Sequence, residues 1–164
     1  EKQQHLFIAD EVFCCIGTTK AKTPNEEQYL KIDYAIPATL AQLCKKMGIH
    51  TLLVISALGA NKNSKIFYNR TKGRMEEEVL RNKIKNTYIL QPSLIGGSRN
   101  EKRLGEKIAK LFMSILNPFL IGSLKKYRSI HPDTIAKAMI WLANNDYKSR
   151  RIPSNEIQQI ADSL

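Results

Sequence analysis

Ser56, Tyr68 and Lys72 are residues whose types and spacing suit chemistry. Ser56 closes the apolar run Thr51-Leu-Leu-Val-Ile55, and Tyr68 stands four residues before Lys72. On a helix, positions i and i+4 share a face, so phenol and ammonium can both point at the loop that holds Ser56. A free phenol titrates near 10, too high for proton exchange at neutral pH, unless a neighbouring ammonium favours its anion. Lys72 can supply that field and also hydrogen-bond a ribose. Ser56 can donate to a carbonyl oxygen as charge develops there. The reaction such a trio suits is hydride transfer, with Tyr68 exchanging the proton. The plain alternative is a surface lysine one turn from a packed tyrosine, and position in the fold separates the two.

The elements that would carry these residues follow from the apolar pattern. Glu11-Val-Phe-Cys-Cys-Ile16 reads as a buried strand that stops at Gly17-Thr18-Thr19. From Gln28 to Met47, apolar positions recur at helical spacing, with Gly48 as a C-cap after Lys45-Lys46. Pro37 lies inside that pattern and predicts a kink or a late helix start. A second strand over Thr51–Ile55 leads through a polar loop to a helix over Phe67–Lys83, where Glu76-Glu77-Glu78 suggests a largely solvated outer face. Asn86–Leu90 is a third strand, closed by Gln91-Pro92-Ser93. Helices near Glu106–Leu116, Pro132–Asn144 and Ser154–Ser163 follow, with a loop around Pro118–Ser129.

Strands joined by helical crossovers, with continuous rather than alternating apolar runs, predict an α/β fold with a doubly wound parallel sheet of Rossmann type. In such a sheet, ligands bind at the carboxyl ends of the strands. Gly17-Thr18-Thr19, Ser56-Ala57 and Gln91-Pro92-Ser93 fall there.

Composition narrows the classes. Among 164 residues, 43% are apolar, 8 are Gly and 6 are Pro, which excludes collagen-like, low-complexity and mostly disordered chains. No stretch approaches the roughly 18 continuous apolar residues of a membrane span, and the first residues hold no signal-peptide core. Cys14, Cys15 and Cys44 form no CxxC, and His5, His50 and His131 are isolated, so no metal site is expected. An odd cysteine count fits a reducing, cytoplasmic setting. The net charge is +11, with +3 on residues 1–82 and +8 on residues 83–164. A basic half can bind nucleic acid, but no aromatic ladder or zinc finger accompanies it. Solvated helix faces explain it better.

Several ordered motifs resemble one family. Ser56 with Tyr68-Asn-Arg-Thr-Lys72 resembles the Ser, Tyr and Lys of the short-chain dehydrogenases/reductases. Phe13-Cys-Cys-Ile-Gly-Thr-Thr19, Ile55-Ser-Ala-Leu-Gly-Ala60, Tyr68–Gly73 and Arg103-Leu-Gly-Glu106 are similar to its atypical extended branch, which includes Tat-interacting-protein-like oxidoreductases and is related to nucleoside-diphosphate-sugar epimerases. The likeness runs from about residue 6 to 146. It implies NADP or NAD as cofactor and an unidentified small-molecule substrate, with a homodimer left open. It assigns Ser56, Tyr68 and Lys72 to catalysis. Gly17, Thr18 and Thr19 would lie along the nucleotide, Lys72 on the nicotinamide ribose, and Pro92, Ser93 and Leu94 beside the nicotinamide.

The chain departs from the family pattern at three places. Asp33 stands where many extended relatives carry Asn, and the simplest reading makes it a solvated helix residue. Gln91 stands where Arg-Pro is common. No G-x-G-x-x-G or G-x-x-G-x-x-G occurs. By the resemblance, residues 1–164 are the C-terminal two-thirds of one NAD(P)-binding Rossmann-type domain, without its N-terminal strands. Residues 1–97 then hold the remaining β/α units, and 98–164 form a helical, substrate-side segment. The resulting expectation is an NAD(P)-dependent oxidoreductase. A non-enzymatic NADP(H)-sensing regulator that binds a protein partner is the alternative, and a basic nucleic-acid module is a third.

Overall fold

The computed structural model describes residues 7–96 and 122–164. Their elements run β1 (Glu11–Cys14), α1 (Glu26–Leu30), a π-helical segment (Lys31–Ala35), α2 (Ile36–Lys46), β2 (Thr51–Ile55), α3 (Phe67–Arg81) and β3 (Asn86–Gln91). A 3-10 turn (Gly122–Tyr127), α4 (Pro132–Asn144), β4 (Arg151–Pro153) and α5 (Ser154–Asp162) complete the order. The expected helix near Glu106–Leu116 and the Arg103-Leu-Gly-Glu106 motif lie outside the described residues.

The four strands form one parallel sheet in the order β1-β2-β3-β4. This is the α/β Rossmann-type sheet that the apolar runs predict. Successive side chains on a strand point to opposite faces, and here both faces are covered. Leu52 and Val54 of β2 pack with Ala41, Cys44, Met75 and Val79 of α2 and α3. Leu53, between them, packs with Ile135, Met139 and Leu142 of α4 and Ile157 of α5. A strand buried on both sides has no polar face to alternate, which is why the run reads as continuous.

β4 is absent from the sequence reading. It is the three residues Arg-Ile-Pro, too short for an apolar run to reveal; its pairing with β3 through Leu90 and Ile152 makes it a strand.

Of the two outcomes expected at Pro37, the late start is overturned. The helix does not start late: Asn25 caps α1 by accepting from the Gln28 amide. A proline has no N–H, so the carbonyl four residues earlier, on Asp33, loses its α-helical donor. The ladder widens just before it, with the Ile36 amide reaching back five residues to the Lys31 carbonyl. Such π segments re-aim side chains. Gly48, at φ +71°, ends α2 in the left-handed conformation that suits glycine.

Gly73 has a different necessity. The 61–62 loop crosses α3 so closely that a Cβ here would lie 2.2 Å from the Lys62 nitrogen and 2.3 Å from the Asn61 carbonyl carbon. The Asn61 amide donates to the Asn69 carbonyl at 3.0 Å, which holds the crossing in place. That crossing fixes the route from β2 to the start of α3, where Tyr68 stands.

Candidate active site

α3 carries three polar residues on one stripe, Tyr68, Lys72 and Glu76, spaced at i, i+4 and i+8. Lys72 is buried, and its Nζ lies 2.8 Å from Asp33 Oδ1. Asp33 comes from the π segment and is fully buried, which corrects its reading as a solvated residue. It stands four residues after Tyr29 and four before Pro37, both buried, so helical spacing places it on the inner stripe and only its charge suggests solvent. The other carboxylate oxygen, Oδ2, accepts the Thr18 amide at 2.8 Å. One carboxylate thus joins α3 to the loop after β1.

Gly17 covers this pair. A Cβ on Gly17 would meet Asp33 Oδ1 at 3.3 Å and Lys72 Nζ at 3.6 Å. Thr18 closes the loop through its hydroxyl, 2.9 Å from that of Thr23, and Thr19 accepts the Lys22 and Thr23 amides on its carbonyl. Gly17, Thr18 and Lys72, predicted from separate stretches of sequence, are therefore brought together, with Thr19 shaping the turn beside them.

Tyr68 stands one turn before Lys72, with its ring 40% exposed. Burial pushes its phenol above the usual tyrosine value, and the negative charge of Asp33 adds to the effect. Tyr29 of α1 is raised in the same way, by burial first, then by Asp33 and Tyr68. The Tyr29 hydroxyl donates to the Thr18 carbonyl at 3.5 Å, and its ring meets Phe67 edge-on at 5.4 Å. The ammonium favouring a Tyr68 phenolate, expected from spacing alone, here faces a carboxylate.

Ser56 sits at the end of β2 as expected, but its hydroxyl donates to Glu76 Oε1 at 2.5 Å. Glu76 is 1% exposed, so the expectation of a largely solvated Glu76–Glu78 face is corrected at this residue. It also accepts from Gln91 Nε2 at 2.9 Å and from Arg151 Nε at 2.8 Å. Arg151 reaches Glu77 as well, at 2.9 Å. A buried carboxylate needs such donors. Carrying the Tyr68–Lys72 spacing one more turn would have placed Glu76 on the inner face; Arg151 left no comparable signal.

Pro92, Ser93 and Leu94 follow β3. The Leu58 amide donates to the Pro92 carbonyl at 2.9 Å, tying the loops after β2 and β3 together. The Ser93 hydroxyl donates to the Arg128 carbonyl and lies 3.0 Å from that of Ser154, while Leu94 is exposed. All the site residues thus lie at the carboxyl ends of β1, β2 and β3, as a parallel sheet requires. A cavity of about 440 Å³ opens at the other end of the sheet, lined by Lys85, Tyr88, Tyr147 and Arg150, away from these residues.

Three features test whether these residues fit a dinucleotide. Gly17 offers no side chain over Lys72. Lys72 meets Asp33 as an ion pair in which Oδ1 takes no hydrogen bond, so its three N–H bonds are not spent on that carboxylate. Leu94 presents an exposed apolar side chain in the loop after β3. They fit the nicotinamide and its ribose. A pyrophosphate needs a glycine-rich turn at a helix N-terminus, and no such fingerprint occurs in the sequence.

Comparison with known proteins supplies the context. No family model matches the chain. It is 35% identical over 160 residues to protein FMP52, mitochondrial, of Debaryomyces hansenii, covering 93% of this chain and 70% of that protein. It is 35% identical over 103 residues to the protein of the same name from Candida albicans, covering 62% of this chain and 45% of that one. The Aspergillus niger protein is 34% identical, over 80% of this chain and 56% of its own length. Against several curated relatives, then, the match spans only about half of their length.

Among solved structures, ADP-L-glycero-D-manno-heptose-6-epimerase of Helicobacter pylori superposes with a TM-score of 0.65 at 15% identity, covering 99% of this chain and 60% of that one. UDP-glucose 4-epimerase of Thermotoga maritima gives 0.65 at 14%, over 99% and 64%. MoeE5, solved with UDP-glucose and NAD, gives 0.59 at 14%, over 94% and 62%. These likenesses establish the fold. The relatives' names also correct the cytoplasmic expectation, because they are mitochondrial proteins. Free thiols report reducing surroundings, and reducing surroundings do not specify a compartment.

Proposed function

The chain belongs to the FMP52 family, and from that premise we propose that it is the nicotinamide-side portion of an NAD(P)-dependent oxidoreductase of the short-chain dehydrogenase type, close to the Tat-interacting-protein-like branch. The observation that carries the reading is the meeting of Gly17, Thr18 and Lys72 around Asp33, with Tyr68 one turn away at the same end of the sheet. The NAD in MoeE5, a protein of the same fold, supports the choice of cofactor. Residues 1–97 supply β1 to β3, and 98–164, which the sequence alone suggested to be helical, add β4 to the sheet along with the substrate side.

A bound NAD(P) would supply or accept a hydride. In this reading Lys72 binds the ribose hydroxyls with its N–H bonds, while Gly17 and Thr18 follow the nucleotide backbone. Pro92, Ser93 and Leu94 flank the ring and limit water at its face. Tyr68 holds the proton exchanged with the substrate oxygen, and Ser56 donates to that oxygen when its hydroxyl turns from Glu76. The substrate is a small molecule with a carbonyl or secondary alcohol.

One observation favours a second reading, a nucleotide-sensing regulator without turnover. The Ser56 hydroxyl is committed to Glu76 and the Lys72 charge to Asp33, so the trio is not assembled around one reacting atom. Calorimetric titration of the full chain with NADPH and NADH, alongside Lys72→Ala and Tyr68→Phe, tests both. Binding together with NADPH-dependent reduction across a panel of carbonyl compounds supports the enzyme. Binding without turnover supports the regulator, and no binding removes both.

A further inference from the structure

We propose that Asp33 is a positioning residue of this site: its carboxylate holds Lys72 and the Thr18 amide together, sets the ammonium charge against itself, and leaves Tyr68 a protonated hydrogen-bond donor. The inference deepens the reading above and rests on its choice of Tyr68 as the proton-handling group.

Three observations carry it. Asp33 and Lys72 side chains are 1% and 5% exposed, so each charge has left water and depends on the other for compensation. Asp33 lies between the buried Tyr29 and Pro37 on one stripe of the continuous helix, so the arrangement is built into the backbone. Oδ2 is engaged by the Thr18 amide, which fixes the carboxylate between loop and helix. An amide at this position would leave the Lys72 charge uncompensated and free to favour a phenolate. A carboxylate reverses that influence.

The titratable and charged groups around Tyr68 can be named element by element. α3 contributes Tyr68 and Lys72, the π segment Asp33, and α1 Tyr29. Cys14 of β1 feels Lys72. Lys20 and Arg70 lie over the ring of Phe67, next to Tyr68, at 4.8 and 5.9 Å. Burial pushes the Tyr68 phenol upward, and among these groups the Asp33 carboxylate adds to it while its pairing offsets the Lys72 ammonium.

The test is a pH titration of the full chain labelled at tyrosine ¹³Cζ, with the Tyr68 resonance assigned by its loss in Tyr68→Phe. Asp33→Asn is expected to lower the Tyr68 midpoint by on the order of one unit, because it exposes the phenol to an unpaired ammonium. Lys72→Met is expected to raise it, and the double variant to return it toward the wild type. A Tyr68 midpoint unchanged in both single variants overturns the proposal. If Asp33→Asn does not fold, Lys72→Met decides by the same criterion; if neither single variant folds, the wild type decides: a Tyr68 midpoint above the usual tyrosine value of about 10 supports the proposal and one at or below it overturns it. No cofactor is present in this measurement, so failure of the NAD(P) reading leaves it interpretable.

Discussion

Lys72 Nζ lies 2.8 Å from Asp33 Oδ1, in a pair whose side chains are 5% and 1% exposed. The stripe Tyr68, Lys72, Glu76 on α3 is thereby anchored twice. Asp33 fastens it to the loop after β1, and Ser56, Gln91 and Arg151 fasten it to the ends of β2, β3 and β4.

Removing one member of the buried pair leaves the other charge without compensation. Lys72→Met or Asp33→Ala should each destabilise the fold by about 3–5 kcal/mol, whereas replacing both with apolar residues of similar volume should cost much less. Urea unfolding of the two singles and the double checks this. Additive losses would mean that the two charges do not interact.

Glu76 gathers three donors, so its removal strands Ser56, Gln91 and Arg151 together. Ser56→Ala deletes one neutral donor and should destabilise by about 1–2 kcal/mol; Glu76→Ala should exceed that several-fold. Denaturation midpoints measure both, and equal effects would contradict the hub.

Gly73→Ala places a methyl against the backbone of Asn61 and Lys62. Backbone cannot move aside as a side-chain tip can, so a loss of about 1–3 kcal/mol is expected. The 61–62 crossing should loosen with it, read as faster hydrogen exchange at the Asn61 amide. An unchanged melting temperature would contradict the packing.

Cys44 is fully buried, and burial pushes its thiol up from 9.0 to about 11. The native state therefore holds this proton more tightly than the unfolded chain. Its contribution is complete below pH 9 and is lost as pH rises toward 11. Cys44→Ala should flatten that alkaline loss of stability. Near pH 8, only the exposed Cys15 should react with a thiol reagent before unfolding, while Cys14 and Cys44 stay protected.

The strands and most helices were legible because burial on both faces writes itself as apolar runs. Thr51–Ile55 and Pro132–Asn144 match their expected bounds. The position of Ser56, Tyr68 and Lys72 at the carboxyl side of the sheet was legible from strand order. Their partners were not. Asp33 lies on the helical stripe of the buried Tyr29 and Pro37, and its charge rather than its spacing suggested solvent. Glu76 was hidden in an acidic triplet whose other members, Glu77 and Glu78, do form surface pairs with Lys62 and Arg81. Arg151 belongs to a strand too short to announce itself.

The central claim is that Lys72, beneath Gly17 and Thr18, holds the ribose of a nicotinamide dinucleotide. Calorimetric titration of the full chain with NADPH tests it most directly, comparing wild type with the structurally balanced pair Asp33→Asn/Lys72→Met. Saturable one-to-one binding is expected, weakening about tenfold or more in the variant through the loss of roughly one charge-assisted hydrogen bond. Equal affinity in the two proteins, or no binding by the wild type, would contradict it.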